Sequence, residues 1–109
     1  MSRTRILAAA FVVLALSRGA WAVQNHTVAQ KDKTFSVAAV KVGAGDTIVF
    51  TNDDQVTHNI FSASKGHEFN LKAQAPGATA SVQVSGDGDI EIRCAFHPRM
   101  KLVATVVKP

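Results

Sequence analysis

Several residue types are scarce in this chain, and each scarcity excludes something. Its 109 residues include one cysteine, no tyrosine, one tryptophan and three prolines. A lone thiol cannot close an internal disulfide, so the stapled frameworks common among small exported domains are excluded. No apolar run approaches the roughly 20 residues of a membrane-crossing helix; the run over residues 6–16 ends at Ser17 and Arg18. There is no repeat, no low-complexity tract and no linker-like stretch, so a single domain accounts for the sequence. Charge is scarce too, once its origin is traced.

The formal net charge is +4, from 12 basic and 8 acidic residues. Three of the basic residues, Arg3, Arg5 and Arg18, fall in the first 22 positions, which hold no acidic residue. That segment has a positive start, an apolar stretch and the small-x-small sequence Ala20-Trp21-Ala22. This is the pattern of a secretory signal peptide. We expect residues 1–22 to be a signal and 23–109 to be the mature, exported domain, placed in the periplasm. Removing the three arginines leaves nine basic against eight acidic residues, a net charge of +1. Neither a nucleic-acid nor a membrane-surface partner follows from such a balance. Trp21 leaves with the signal, so the mature chain should absorb weakly at 280 nm.

The remainder reads as strands. The segments "DTIVFTN" (46–52), "ATASVQVS" (78–85) and "DIEIRCAF" (89–96) alternate apolar and polar residues. "THNIFSAS" (57–64) and "KLVATVVK" (101–108) add two more, and "HTVAQ" and "FSVAAVKV" are weaker candidates. Glycine-bearing turns separate several of them, and nothing shows helical period. Six or seven short strands at this spacing predict an antiparallel sandwich or barrel. The stretch "KGHEFNLKAQAPGA" (65–78) reads as a crossing loop, with room for a turn of helix.

Alternation also orients the one thiol. Cys94 follows Ile90 and Ile92 at steps of two, so its sulfur is expected to point inward at a strand end. His97 and Met100 follow at three-residue intervals, with Pro98 between them. In an oxidising compartment three fates remain for Cys94: a buried inert thiol, an intermolecular bridge, or a thiolate on a metal. Thiolate, imidazole and thioether side by side favour copper or zinc over magnesium or calcium. A second imidazole is available at His58, in "VTHNIF" on another candidate strand. Two histidines, a cysteine and a weak axial methionine are the donors of a blue-copper site. Zinc is the poorer match, because thioether is not among its usual donors. His26 and His67 have no such company and read as surface residues, although His26 near a new amino terminus could bind Cu(II) loosely.

With "GDTIVFTNDD", "HNI" and "CAFHPRM" in place, the chain resembles the cupredoxins, and within them the plastocyanin/amicyanin type. Its Cys-x2-His-x2-Met spacing is similar to amicyanin's short ligand loop. The resemblance implies an all-β, Greek-key β-sandwich of about seven strands holding one type 1 copper ion. His58, Cys94 and His97 would be equatorial ligands and Met100 axial, while the side chain of Asn59 would brace the cysteine loop. It also implies a monomeric one-electron carrier that is not an enzyme. Its partner would be transient, a c-type cytochrome or a periplasmic dehydrogenase, docking near Phe96 and Pro98. The ending "HPRMKL" equally resembles small periplasmic copper-tolerance proteins that bind or oxidise excess copper with the same four ligands, copper ions alone then being the partner. An oxidase or reductase would need a further cluster of histidines, and the four histidines here form no His-x-His pair.

Overall fold

The computed structural model describes residues 22–109, and the expected signal peptide, apart from Ala22, lies outside them. Among the described residues there are nine strands and no helix. They are β1 (Asn25–Lys31), β2 (Thr34–Phe35), β3 (Ala39–Gly43), β4 (Thr47–Asn52), β5 (His58–Ser62), β6 (Phe69–Gln74), β7 (Thr79–Gln83), β8 (Gly88–Cys94) and β9 (Lys101–Val107). One sheet has the order β2-β1-β4-β7 and the other β3-β9-β8-β5-β6. The all-strand, two-sheet architecture agrees with the sequence reading.

Two details differ from it. β1 pairs with β4, and β3 with β9, in parallel, while the other five pairings are antiparallel. Alternation reports which face a residue occupies but carries no information on strand direction. The parallel pairs arise because the chain crosses from one sheet to the other between β1 and β4. The second difference is the stretch expected to be a loop, whose residues 69–74 form edge strand β6. Its one-sided burial is weak, and its pairing with β5 shifts register between Asn59 and Phe61. Lys72 takes a positive φ of 69° there, so a bulge breaks the alternation that would have marked the strand. With the two-residue β2, β6 brings the count from about seven strands to nine.

The core lies where the inward faces of the two sheets meet. Ile48 and Phe50 of β4, Ile60 of β5, Ile90 and Ile92 of β8 and Leu102 and Ala104 of β9 are almost wholly buried. β4 alternates half-buried and buried residues along its whole length, the signature of a strand with one face inward. It starts from the Gly43–Asp46 turn, closed by the Asp46 N–H donating to the Gly43 carbonyl at 3.0 Å. Gly45 there has φ +97°, and a Cβ on it would stand 3.3 Å from the Val23 side chain. Glycine is the residue that tolerates both conditions.

The inter-sheet space is not all apolar. Gln30, Asn52 and Gln74 are buried and tied together. Gln30 Nε2 donates to Gln74 Oε1 at 2.9 Å, and Gln74 Nε2 to the Phe50 carbonyl at 2.8 Å. Asn52 Nδ2 donates to the carbonyls of Val56 and Gln74, each at 2.9 Å. Such bonds offset the desolvation of buried amides. They also shape the 53–57 connection that delivers His58.

Truncating the core beneath β8, the strand that carries Cys94, should be costly. Ile92→Ala should lower unfolding free energy by about 2–5 kcal/mol, read from urea denaturation of the mature chain. A loss well under 1 kcal/mol would show that β8 is not packed as described.

Candidate metal centre

Each sequence-predicted ligand comes from a strand end or the loop that follows it. β5 and β8 are antiparallel neighbours with Ile60 opposite Cys94. His58, two residues before Ile60, therefore shares its inward face and extends just past the end of β8. Cys94 closes the inward series Ile90, Ile92, Cys94, as alternation predicted. The ladder runs one step further, because the Ala95 N–H donates to the Asn59 carbonyl at 2.8 Å. The chain then turns through residues 95–100. The Met100 N–H donates to the His97 carbonyl at 3.0 Å, and Arg93 Nη1 to the Pro98 carbonyl at 2.9 Å. These bonds hold the loop so that His97 returns over Cys94.

The result is a tight triangle. Cys94 Sγ lies 3.6 Å from His58 Nδ1 and 3.5 Å from His97 Nδ1. All three donor atoms lie within 4.8 Å of one another. The two imidazoles meet edge to face, with centroids 4.8 Å apart. Metal–nitrogen and metal–sulfur bonds of roughly 2.0 and 2.3 Å at a trigonal or tetrahedral centre separate N from S by roughly 3.5–3.7 Å. The donors already stand at that spacing. His58 and Cys94 are buried, and His97 is partly exposed. Met100, expected as the axial ligand, is buried at the end of the same loop.

The hydrogen bonds and burial around the two histidines suit them to ligation. His58 Nε2 faces Asp54 Oδ2 at 3.0 Å. An ionised carboxylate only accepts hydrogen bonds, so Nε2 carries the proton and Nδ1 presents its lone pair to the centre. Asp54 stays ionised: the Lys33 N–H on its carboxylate outweighs desolvation and, with the Gln55 N–H and His58, lowers its pKa to about 2. Desolvation by burial pushes the His97 pKa below the ordinary histidine value, reinforced by the charges of His58 and Lys33 and opposed by Asp54. A neutral His97 imidazole is what a metal needs. The Asn59 N–H points at Cys94 Sγ, 3.4 Å away.

Two sequence expectations change here, and one residue that sequence reasoning missed appears. Asn59 does not brace the cysteine loop with its side chain: Nδ2 donates to Asn70 Oδ1 at 2.8 Å, an acceptor shared with the Lys72 N–H. That side chain therefore secures the β6 bulge, and the brace on Cys94 comes from the Asn59 backbone. His26 and His67 are half-buried and bonded rather than plain surface residues. His26 Nε2 pairs with Asp46 Oδ2 at 2.8 Å, and His67 Nε2 lies 3.0 Å from the Asp87 carbonyl. Asp54, given no role from sequence, proves to contact the site. Its four-residue spacing from His58 is a signal only on a helix, and this segment is a loop.

The depressed pKa of His97 has a signed consequence for the metal-free chain. Below about 6.5 the unfolded state takes up a proton that folded His97 resists, so stability falls as pH drops from that value toward the folded pKa. The urea midpoint of metal-free protein should be lower at about pH 5 than at about pH 7.5, and His97→Gln should shrink that difference. Equal pH responses in the two proteins would contradict the assignment.

A family described as "Cupredoxin-like domain" matches residues 4–106. Over 77 residues the chain is 31% identical to methylamine utilization protein MauL of Methylophilus methylotrophus, covering 68% of this chain and 44% of that protein. The chain thus spans less than half the length of that relative. Among solved structures, a purple cupredoxin from Nitrosopumilus maritimus superposes with a TM-score of 0.67 at 23% identity, covering 75% of this chain and 99% of that one. Amicyanin from Paracoccus versutus gives 0.68 at 20% identity, covering 76% and 81%. These likenesses match the two-sheet fold. Together with the family match and the His58–Cys94–His97 triangle, a candidate copper site consistent with a single type 1 ion, they place this chain in the cupredoxin-like family.

Proposed function

We propose that the protein is a periplasmic one-electron carrier, not an enzyme, built around one type 1 copper ion. The observation that carries this reading is the triangle itself: one sulfur and two Nδ1 atoms spaced to share one ion, with His58 and Cys94 buried and His97 partly exposed. Bound copper supplies the Cu(I)/Cu(II) change. The chain supplies a fixed donor set, so little need move when the electron arrives or leaves. Cys94 provides the thiolate, His58 and His97 the imidazoles, and Met100 is the proposed weak axial donor.

Exit and docking are proposed at the exposed end of the site. His97 is the ligand with partial exposure, and beside it Phe96 is 52% exposed, with Pro98 also at the surface. A small apolar patch beside a partly exposed ligand suits a short-lived redox encounter. The near-neutral charge of residues 23–109 argues for modest electrostatic steering. A c-type cytochrome or a periplasmic dehydrogenase is the proposed partner. The likeness to a methylamine utilization protein and to amicyanin supports a redox partner protein in general. Among the described residues no helix is long and apolar enough to cross a membrane.

The test is spectroscopic. Cu(II)-loaded mature protein should be strongly coloured in the visible, Cys94→Ser should abolish that band, and Met100→Gln should keep it while lowering the reduction potential. A colourless copper adduct would overturn the type 1 reading, and an unchanged potential in Met100→Gln would overturn axial ligation. Stopped-flow mixing of the reduced protein with a c-type cytochrome should show rapid transfer, slowed by Phe96→Glu if docking uses that face.

A further inference from the structure

Asp54 occupies an unusual position, because one of its oxygens serves two parts of the site at once. Oδ2 accepts the His58 Nε2–H at 3.0 Å and the Lys33 N–H at 2.8 Å. Oδ1 accepts the Gln55 N–H at 2.9 Å, and the Asp54 N–H donates to Asn52 Oδ1 at 2.9 Å. Asn52 is itself buried and bonded to Val56 and Gln74. The carboxylate is thereby fixed from below, and its side chain is only 11% exposed.

The second donor belongs to a strained turn. Asp32 and Lys33 both have positive φ, 54° and 59°, and connect β1 to β2 with Lys31 opposite Thr34. Two left-handed residues make the turn that matches strand twist, but lysine at the second position, where glycine is preferred, is strained. Such strain persists where surrounding contacts enforce it, and the contact here is Asp54. The tip of this hairpin lies across a surface cleft from His97: Asp32, Lys33 and Thr34 line one side, and His97, Pro98 and Arg99 the other.

We infer that Asp54 is a positioning residue: it locks His58 in the Nδ1-ligating tautomer, pins the hairpin tip that faces His97 across the cleft, and holds the reduction potential down. The last part rests on the copper reading proposed above. A carboxylate on the far nitrogen makes the imidazole a stronger donor. Its negative charge behind the ligand also favours the more positive oxidation state. Sharing one oxygen makes the two effects inseparable, so the buried ligand and the wall beside the exposed one are set by the same atom.

The experiment compares wild type, Asp54→Asn and Asp54→Glu by voltammetry of the copper-loaded forms, and by nitrogen-15 NMR and amide exchange of the metal-free forms. Asp54→Asn should shift the equilibrium toward Cu(I) at least tenfold, a rise of about 59 mV for one electron. Asp54→Glu, which keeps the charge, should fall between it and wild type. In metal-free wild type, His58 should carry its proton on Nε2, and the Lys33 amide should be protected from exchange, a protection that Asp54→Asn weakens. A visible band with unchanged potentials in both variants would overturn the tuning role and leave the proposed function intact. A wild type that binds no copper would remove the proposed function and the tuning with it, while the tautomer lock would still be decided by the metal-free spectra. Should Asp54→Asn fail to fold, the wild-type spectra decide: a His58 proton on Nδ1, or an unprotected Lys33 amide, overturns the inference.

Discussion

Cys94 stands opposite Ile60, and that register between β5 and β8 decides whether sulfur and imidazole can meet. Strand side chains alternate faces, so a slip of one residue would turn Cys94 toward solvent and leave His58 facing nothing. The apolar residues on the same faces prevent the slip. Ile90, Ile92 and Ile60 are almost wholly buried, and moving them outward would expose all three together. Core packing and ligand placement are thus one constraint rather than two. The site inherits its position from the hydrophobic pattern.

Packing alone would leave the donors free to rotate, and polar contacts remove that freedom. Asp54 orients His58, the backbone of Asn59 meets both Cys94 and Ala95, and Arg93 ties down the Pro98 carbonyl. Beneath them the Gln30–Gln74 and Asn52 bonds hold the connection leading into β5. A buried polar group without partners destabilises a fold, but a connected network fixes one arrangement. Here the arrangement fixed is the one that points three donor atoms at a common centre. That is the physical basis for expecting little reorganisation when a metal changes charge.

The parts legible in the sequence were those governed by short-range pattern. Alternation along 89–96 was enough to turn Cys94 inward, and the three-residue steps to His97 and Met100 marked the ligand loop. His58 needed chemical reasoning, a second imidazole for a thiolate and an imidazole already in hand, and the structure places it 3.6 Å from the sulfur. What stayed hidden was long-range or irregular. Strand direction leaves no trace in alternation, so the parallel pairs of β1 with β4 and β3 with β9 were invisible. β6 was hidden by its bulge at Lys72. Asp54 was hidden because its partners, Lys33 and His58, meet it only after the hairpin folds back. The side chain of Asn59 turns to Asn70, across the bulge that sequence could not show.

Sulfur and both imidazoles are expected to bind one ion together. X-ray absorption at the copper edge of the loaded mature protein addresses it most directly. One short copper–sulfur distance accompanied by two imidazole nitrogens is the predicted result. A copper shell of nitrogen and oxygen only, with no sulfur, would contradict it.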